Sequence, residues 1–414
     1  MKSSAPKISS TTSRVGPRPL ALHLGLATTS VASSLARLPL DKKGESGTGS
    51  QFSDVSEGLI ESQAIGYAPG LLQRLADQGS EQMQDMINGI RFYHSHPYNR
   101  EPRNRPVIWQ RGTTELLDGA PDAPEKAPLV LLVPSLVNRA YILDLMPGRS
   151  LVDYLAGRGL HPILLDWNTP GEVERNFDIA EYITDRICPA IEFLSEMYGP
   201  APLHLAGYCM GGTLSVAAAI RQQDKIRSFI AIAAPWDFHA EYSGQAKALI
   251  DQRELWATIL DGFGEMPVDL LQTLFTSLDP SLGLRKFSKF GEMDMASAQA
   301  QEFVAIEDWL NDGCPLVRRV AEDVFDRWYG RNETQLGQWV VGNDIVRPRD
   351  ISVASLIAVP KSDKIVPRPS ALALASSLPS ATVVTPPSGH VGMMAGSKAP
   401  SGLWRQLGDW VVEN

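Results

Sequence analysis

Six short apolar runs punctuate the chain, at 129–134, 162–166, 203–207, 229–234, 353–359 and 382–385. Each has strand length, and stretches of helical periodicity lie between them. In 179–198, Ile179, Ile183, Ile187, Ile191 and Leu194 recur on one helix face, with Pro189 expected to kink the helix at its middle. Apolar strands alternating with amphipathic helices predict a mostly parallel sheet with helices on both faces. Ahead of this pattern, 107–117 reads as a hairpin around Gly112, and 118–128 as a Pro/Asp-rich connector.

The pattern divides the chain into five segments. Residues 1–55 are rich in Ser, Thr, Gly and Lys and read as a flexible N-terminal arm, with a solvated loop at 41–54. Residues 56–106 form an N-terminal helical region, with apolar spacing through Leu71, Leu72, Leu75, Met83, Met86 and Ile87. The α/β core occupies 107–240 and resumes at 341–414. Between them, 241–340 loses the strand alternation, carries Trp256, Trp309, Trp328 and Trp339, and reads as an inserted helical cap over the site.

Composition narrows the class. A chain of 414 residues with 43% hydrophobic content is long enough for one large core with an insertion, or for two domains. A net charge of −9 argues against nucleic acid as the main partner. Cys188, Cys209 and Cys314 make no even disulfide framework and no metal-type spacing, so no metal is expected and a reducing, cytoplasmic setting fits. Lys2, Lys7, Arg14 and Arg18 precede a mildly apolar stretch at 19–36, but Thr28, Thr29, Ser30, Ser33 and Ser34 dilute it. It reads as a surface helix or partly disordered arm rather than a secretion signal, and no run has the length and apolarity of a membrane span.

The chemistry concentrates after the third run. An apolar strand leads into Gly207-Tyr208-Cys209-Met210-Gly211, and a small-residue helix follows through 221. This resembles the nucleophile elbow of α/β-hydrolases, with Cys in the place of the usual Ser. The turn is tight, so side chains two positions to either side of the nucleophile would crowd it, and Gly207 and Gly211 are required. A thiol nucleophile needs a base, and the base an orienting acid. In the hydrolase order these follow the nucleophile. His390 lies in a Gly-flanked loop after the last apolar run, and Asp363 stands just past the run ending at 359. The oxyanion would be held by the Met210 backbone N–H and a second N–H from the loop after the first core strand. The sequence leaves open whether Leu136 or Val137 supplies it.

The same residues resemble those of the polyhydroxyalkanoate synthases over roughly 107–414. The segment 133–145, Val-Pro-Ser-Leu-Val-Asn-Arg-Ala-Tyr-Ile-Leu-Asp-Leu, is similar to their Pro-, Asn- and Tyr-Ile-Leu-Asp-Leu-containing block. Residues 207–213 resemble their cysteine lipase box, and 362–367 and 388–392 their acid and His loops. Segment 303–309, with Glu307 and Trp309, resembles a Glu-x-Trp stretch in the shorter synthases that work with a second subunit. The resemblance implies an α/β-hydrolase fold and an acyltransferase. Cys209 would take a 3-hydroxyacyl group from a coenzyme A thioester, His390 would activate the attacking hydroxyl, and Asp363 would orient His390. No cofactor is implied beyond coenzyme A as part of the substrate. The implied partners are the growing polyester, a second copy or a synthase subunit, and the surface of a polymer granule.

Two further readings compete. One is a Cys-triad hydrolase, a thioesterase or polyester depolymerase. The other is a non-catalytic relative that binds granules or subunits. Asn138, Arg285 and Lys286 are candidates for contacts to the substrate, the last two for its phosphates, against the blander reading of a solvated basic face. Cys188 and Cys314 lack a nearby base and read as inert. His94 and His96 have no partner ligands at metal spacing and read as the end of a helix. Trp309 and Trp328 read as cap core or as a dimer face.

Overall fold

The computed structural model describes residues 14–36, 71–241 and 251–414. Eight strands form the main sheet: β1 (Val107–Arg111), β2 (Thr114–Asp118), β3 (Leu129–Val133), β4 (His161–Asp166), β5 (Leu203–Tyr208), β6 (Ser228–Ile232), β7 (Ala354–Ala358) and β8 (Thr382–Val384). Their spatial order is β1-β2-β4-β3-β5-β6-β7-β8. The first pairings, β1 with β2 and β2 with β4, are antiparallel, and the remainder are parallel. All six apolar runs are therefore strands, and the hairpin turns at Gly112 with φ 59°.

The inner strands read as unbroken apolar runs because both sheet faces are covered. Leu129, Leu131, Val133, Leu205, Phe229 and Ile357 enter one core. Their neighbours Val130, Leu132, Ala206, Ile230 and Leu356 enter the other. The helical stretch from 179 is not kinked at a single residue. It runs as Ile179–Tyr182, a π-helical stretch Ile183–Ile187, then Cys188–Tyr198. Pro189 brings no N–H, and the wider turns directly ahead of it absorb that loss.

By their internal contacts the residues fall into two compact units, 1–97 with 279–304, and 98–278 with 305–414. The five-segment reading is thus redrawn. Residues 241–340 are not one cap, because 279–304 packs with the N-terminal helices. The amphipathic helix Leu282–Gly291 buries Leu284, Phe287 and Phe290, and helix Leu71–Ser95 buries Met86, Ile90 and Tyr93. Tyr93 meets Phe287 edge-on at 5.9 Å, and Gly89 lets the backbone of Phe287 approach. Part of the expected arm is helix, Leu20–Ala36. Its Thr28 and Thr29 hydroxyls bond back to the Leu24 and Gly25 carbonyls, and Ala27 is buried. Residues 1–13, 37–70 and 242–250, with the remaining parts of the arm and of the N-terminal helical region, lie outside the described residues.

Candidate active site

The larger unit delivers three chemistry-bearing residues from the C-terminal ends of its strands. β5 is buried along its length and ends against Cys209, whose φ of 56° and ψ of −129° put a non-glycine residue in strained backbone. Helix Met210–Arg221 begins at the next residue. The turn is tight for a visible reason. A Cβ on Gly207 would stand 2.5 Å from the Gly211 carbonyl oxygen, and one on Gly211 would collide with the Val133 and Pro134 carbonyls. The Cys209 N–H donates to the Ile232 carbonyl at 2.8 Å, which pins the elbow to β6. Thr213 Oγ1 donates to the Pro235 carbonyl at 2.7 Å and holds the loop that follows.

Asp363 lies beyond β7 with its side chain 1% exposed. One carboxylate oxygen accepts the Ile365 and Val366 N–H groups at 2.8 and 2.9 Å. The other lies 2.7 Å from His390 Nδ1. The loops carrying the two residues are stitched by backbone bonds from Lys361 N to Pro386 O (2.9 Å) and Ser362 N to Ser388 O (3.3 Å). With Nδ1 engaged, the far edge of the imidazole is left free, and the charge of Cys209 acts on His390. Burial pulls the His390 pKa down, but the Asp363 carboxylate and the charge that Cys209 can carry outweigh it, and the pKa is pushed up to about 10. Asp363 and His390, 27 residues apart, are thereby brought together, and the charge of Cys209 acts on His390.

Tyr208, not singled out from the sequence, belongs to the same cluster. Its ring lies 5.1 Å from the His390 ring, and its hydroxyl donates to the His390 carbonyl at 3.2 Å. Burial, then the charges of Cys209 and Asp363, raise its pKa well above the phenol range, so it stays neutral. Tyr329, on the π-helical stretch Asp323–Gly330, also interacts electrostatically with Cys209. No motif marks it, because it lies 120 residues downstream and meets Phe238 only through the tertiary fold.

The remaining candidates separate. Leu136 and Val137 sit in the loop after β3, which closes on the elbow at Gly211. The Val137 N–H donates to Ser135 Oγ at 3.2 Å, so it is already engaged. Asn138 bridges to Gly313, and its side-chain nitrogen is buried with no hydrogen-bond partner among the described residues. Arg285 and Lys286 belong to the smaller unit, where the Arg285 guanidinium pairs with Asp279 at 2.8 Å and Lys286 lies 5.2 Å from the Phe287 ring centroid. Their sequence gave no sign of Asp279 as a partner, and these contacts lend no support to a phosphate role. Burial pushes the Cys188 and Cys314 thiols up to about 11. Trp309 and Trp328 are buried within the larger unit. Among the described residues no group of acidic, His and Cys side chains has the arrangement of a metal site, and no helix is long and apolar enough to cross a membrane.

A family model described as the alpha/beta hydrolase fold matches residues 128–397. The chain is 26% identical over 287 residues to the poly(3-hydroxyalkanoate) polymerase subunit PhaC of Haloferax mediterranei, covering 69% of this chain and 58% of that protein. It is 28% identical over 299 residues to the subunit of the same name from Allochromatium vinosum, covering 72% and 83%. Among solved structures it is similar to the Paleococcus ferrophilus monoacylglycerol lipase, at 17% identity and a TM-score of 0.46, covering 72% of this chain and 98% of that one.

Proposed function

The chain belongs to the α/β-hydrolase fold family, and from that membership we propose that it is a polyhydroxyalkanoate synthase-like acyltransferase. The proposal rests on one observation above the others. The residue at the elbow is a thiol, and its charge acts on a histidine whose Nδ1 is held by a buried carboxylate. The sequence relatives named as poly(3-hydroxyalkanoate) polymerase subunits support the same reading.

In this reading His390 takes the proton of the Cys209 thiol, and the sulfur attacks the carbonyl carbon of a 3-hydroxyacyl-coenzyme A. The N–H groups of Met210 and Leu136 hold the oxyanion; Leu136 is preferred because Val137 is engaged by Ser135. The carbon–sulfur bond to coenzyme A then breaks, and His390 gives its proton to the departing thiolate. The acyl group now rests on Cys209 as a thioester, close in energy to the one it came from. His390 next removes the proton from the hydroxyl of a hydroxyacyl unit. That oxygen attacks the Cys209 thioester, an ester bond forms, and the sulfur leaves as thiolate. Asp363 keeps the imidazole oriented through both steps. Sulfur suits this sequence because its acyl form stays reactive towards a hydroxyl. A reducing cytoplasm keeps the thiol available, no bound cofactor is needed, and a second copy or a second subunit completes the working enzyme at the polymer surface.

Incubation with 3-hydroxybutyryl-coenzyme A tests the reading. It requires release of coenzyme A, a mass increment on Cys209 and ester-linked oligomers. Release of free 3-hydroxybutyrate with no oligomer would assign the site to a hydrolase instead. Release that persists in Cys209→Ala would remove Cys209 from the chemistry.

A further inference from the structure

Residues 134–139 leave the end of β3 and pass the elbow, where the Val133 and Pro134 carbonyls face Gly211. They lie outside the main sheet, so no strand ladder fixes their shape. Three of their carbonyls are taken instead by donors from elsewhere in the larger unit. The Trp167 indole N–H donates to the Pro134 carbonyl at 3.1 Å. The Cys314 backbone N–H donates to the Val137 carbonyl at 2.8 Å, and the Trp309 indole N–H to the Arg139 carbonyl at 2.8 Å. Between these anchors the Leu136 N–H meets no acceptor among the described residues. An amide left open in a loop pinned on both sides is suited to an oxyanion.

Two of the three anchors come from one short stretch, 309–314, where helix Ala298–Asn311 ends. Trp309 is 5% exposed, so packing fixes its indole. Asp312 accepts from Arg139 Nε at 3.5 Å and from the Tyr141 hydroxyl at 3.1 Å. Asn138 and Gly313 form an antiparallel bridge between these two bonds. The helix end is itself held, because the buried Gln272 side chain donates to the Leu310 carbonyl at 2.8 Å. Residues 137–141 and 309–314 are thus fastened to one another at successive points.

We propose that Trp309 and Asp312 are positioning residues for the oxyanion hole. They touch neither substrate nor sulfur. They hold 136–139 so that the Leu136 N–H stays where the thioester oxygen gathers charge. This rests on the acyltransferase reading, with Leu136 as its second donor, and adds what keeps that donor in place. Such placement matters, since a shift of about 1 Å in a group that meets the transition state can cost about a hundredfold in rate.

The test compares wild type, Trp309→Phe and Asp312→Ala in two reactions of Cys209. Coenzyme A release from 3-hydroxybutyryl-coenzyme A passes through an oxyanion. Alkylation by iodoacetamide, followed by mass on Cys209, attacks a saturated carbon and builds none. Trp309→Phe keeps a buried ring and loses only the N–H. It should lower kcat about tenfold with KM within about twofold, and Asp312→Ala should lower kcat about threefold. Alkylation should stay within about twofold of wild type in both. Asp312 is exposed, so its variant decides the matter alone if Trp309→Phe does not fold. Wild-type kcat in the folded variants, or alkylation falling in step with acyl transfer, would overturn the proposal. If wild type is alkylated at Cys209 but releases no coenzyme A, the acyltransferase reading itself fails, and this assignment with it.

Discussion

The Tyr208 hydroxyl donates to the backbone carbonyl of His390 at 3.2 Å, joining the residue before the elbow cysteine to the residue that faces its sulfur. Tyr208→Phe removes the donor and leaves a buried carbonyl unpaired. The expected cost is about 1 kcal/mol in urea denaturation, with coenzyme A release slowed several-fold. Unchanged stability and unchanged turnover would show that the bond holds nothing in place.

Gly211 lies against the Val133 and Pro134 carbonyls, and backbone cannot swing aside as a flexible side chain can. Gly211→Ala is expected to lower stability by about 3 kcal/mol or more, or to yield no soluble protein. A soluble variant with wild-type melting temperature and activity would contradict the close approach.

Asp363→Asn keeps the shape of the pair with His390 and removes its charge. Turnover is expected to fall roughly a thousandfold or more. The His390 pKa, about 10 in the wild type, should move down, as followed by NMR of the ring protons. The sign of the stability effect is fixed by linkage. A histidine whose folded pKa lies above its unfolded value contributes in full below about pH 6.5 and loses that contribution as pH rises towards 10. The stability gap between wild type and Asp363→Asn should therefore narrow between pH 6.5 and 10. A gap that widens with pH would contradict the assignment.

His204 on β5 is the opposite case. It is fully buried, with Nδ1 2.7 Å from Ser228 Oγ and no partner for Nε2 among the described residues. Burial, then the charge of Arg227, lowers its pKa to about 4. The unfolded chain binds this proton first as pH falls, so stability is complete above about 6.5 and declines towards pH 4, by about 3 kcal/mol in all. His204→Leu should remove that limb from a plot of urea midpoint against pH, whatever its effect at pH 7. A limb that survives the substitution would place the acid sensitivity elsewhere.

Asp144, the aspartate of the Tyr-Ile-Leu-Asp-Leu stretch, has a structural occupation. Its carboxylate is buried and takes two bonds from Arg105, at 2.9 and 3.0 Å, and one from Ser150 at 2.6 Å. Asp144→Ala leaves the guanidinium with Asp153 and the Gly119 carbonyl, strands the Ser150 hydroxyl, and is expected to destabilise the protein by about 1–3 kcal/mol. The protein that remains folded, selected by size exclusion, should still acylate Cys209. Loss of acylation in that fraction would give Asp144 a chemical role.

Much of this was legible in the chain because the signals were local. Strand-length apolar runs must be buried wherever they lie, and Gly207 and Gly211 flank a turn that admits no side chain. Asp363 and His390 declared themselves by following strands. The rest depended on partners that no local pattern encodes. The apolar face of helix Leu282–Gly291 announces burial but not that Tyr93 will cover it. The basic run around Arg285 suggested an anion, and Asp279, six residues earlier, takes the guanidinium. Tyr329 and Asn332 meet Phe238 only once the chain has folded.

The backbone stitching of 361–362 to 386–388 makes the acid and the base one mechanical piece, while the thiol is fastened to β6 and tied to that piece through the Tyr208–His390 bond. The site is therefore assembled from two cassettes. Mild heat or denaturant should part sulfur from imidazole before it parts imidazole from carboxylate. The same division means that the atom at the elbow can be exchanged, sulfur for oxygen, without asking the proton-handling half to rebuild itself.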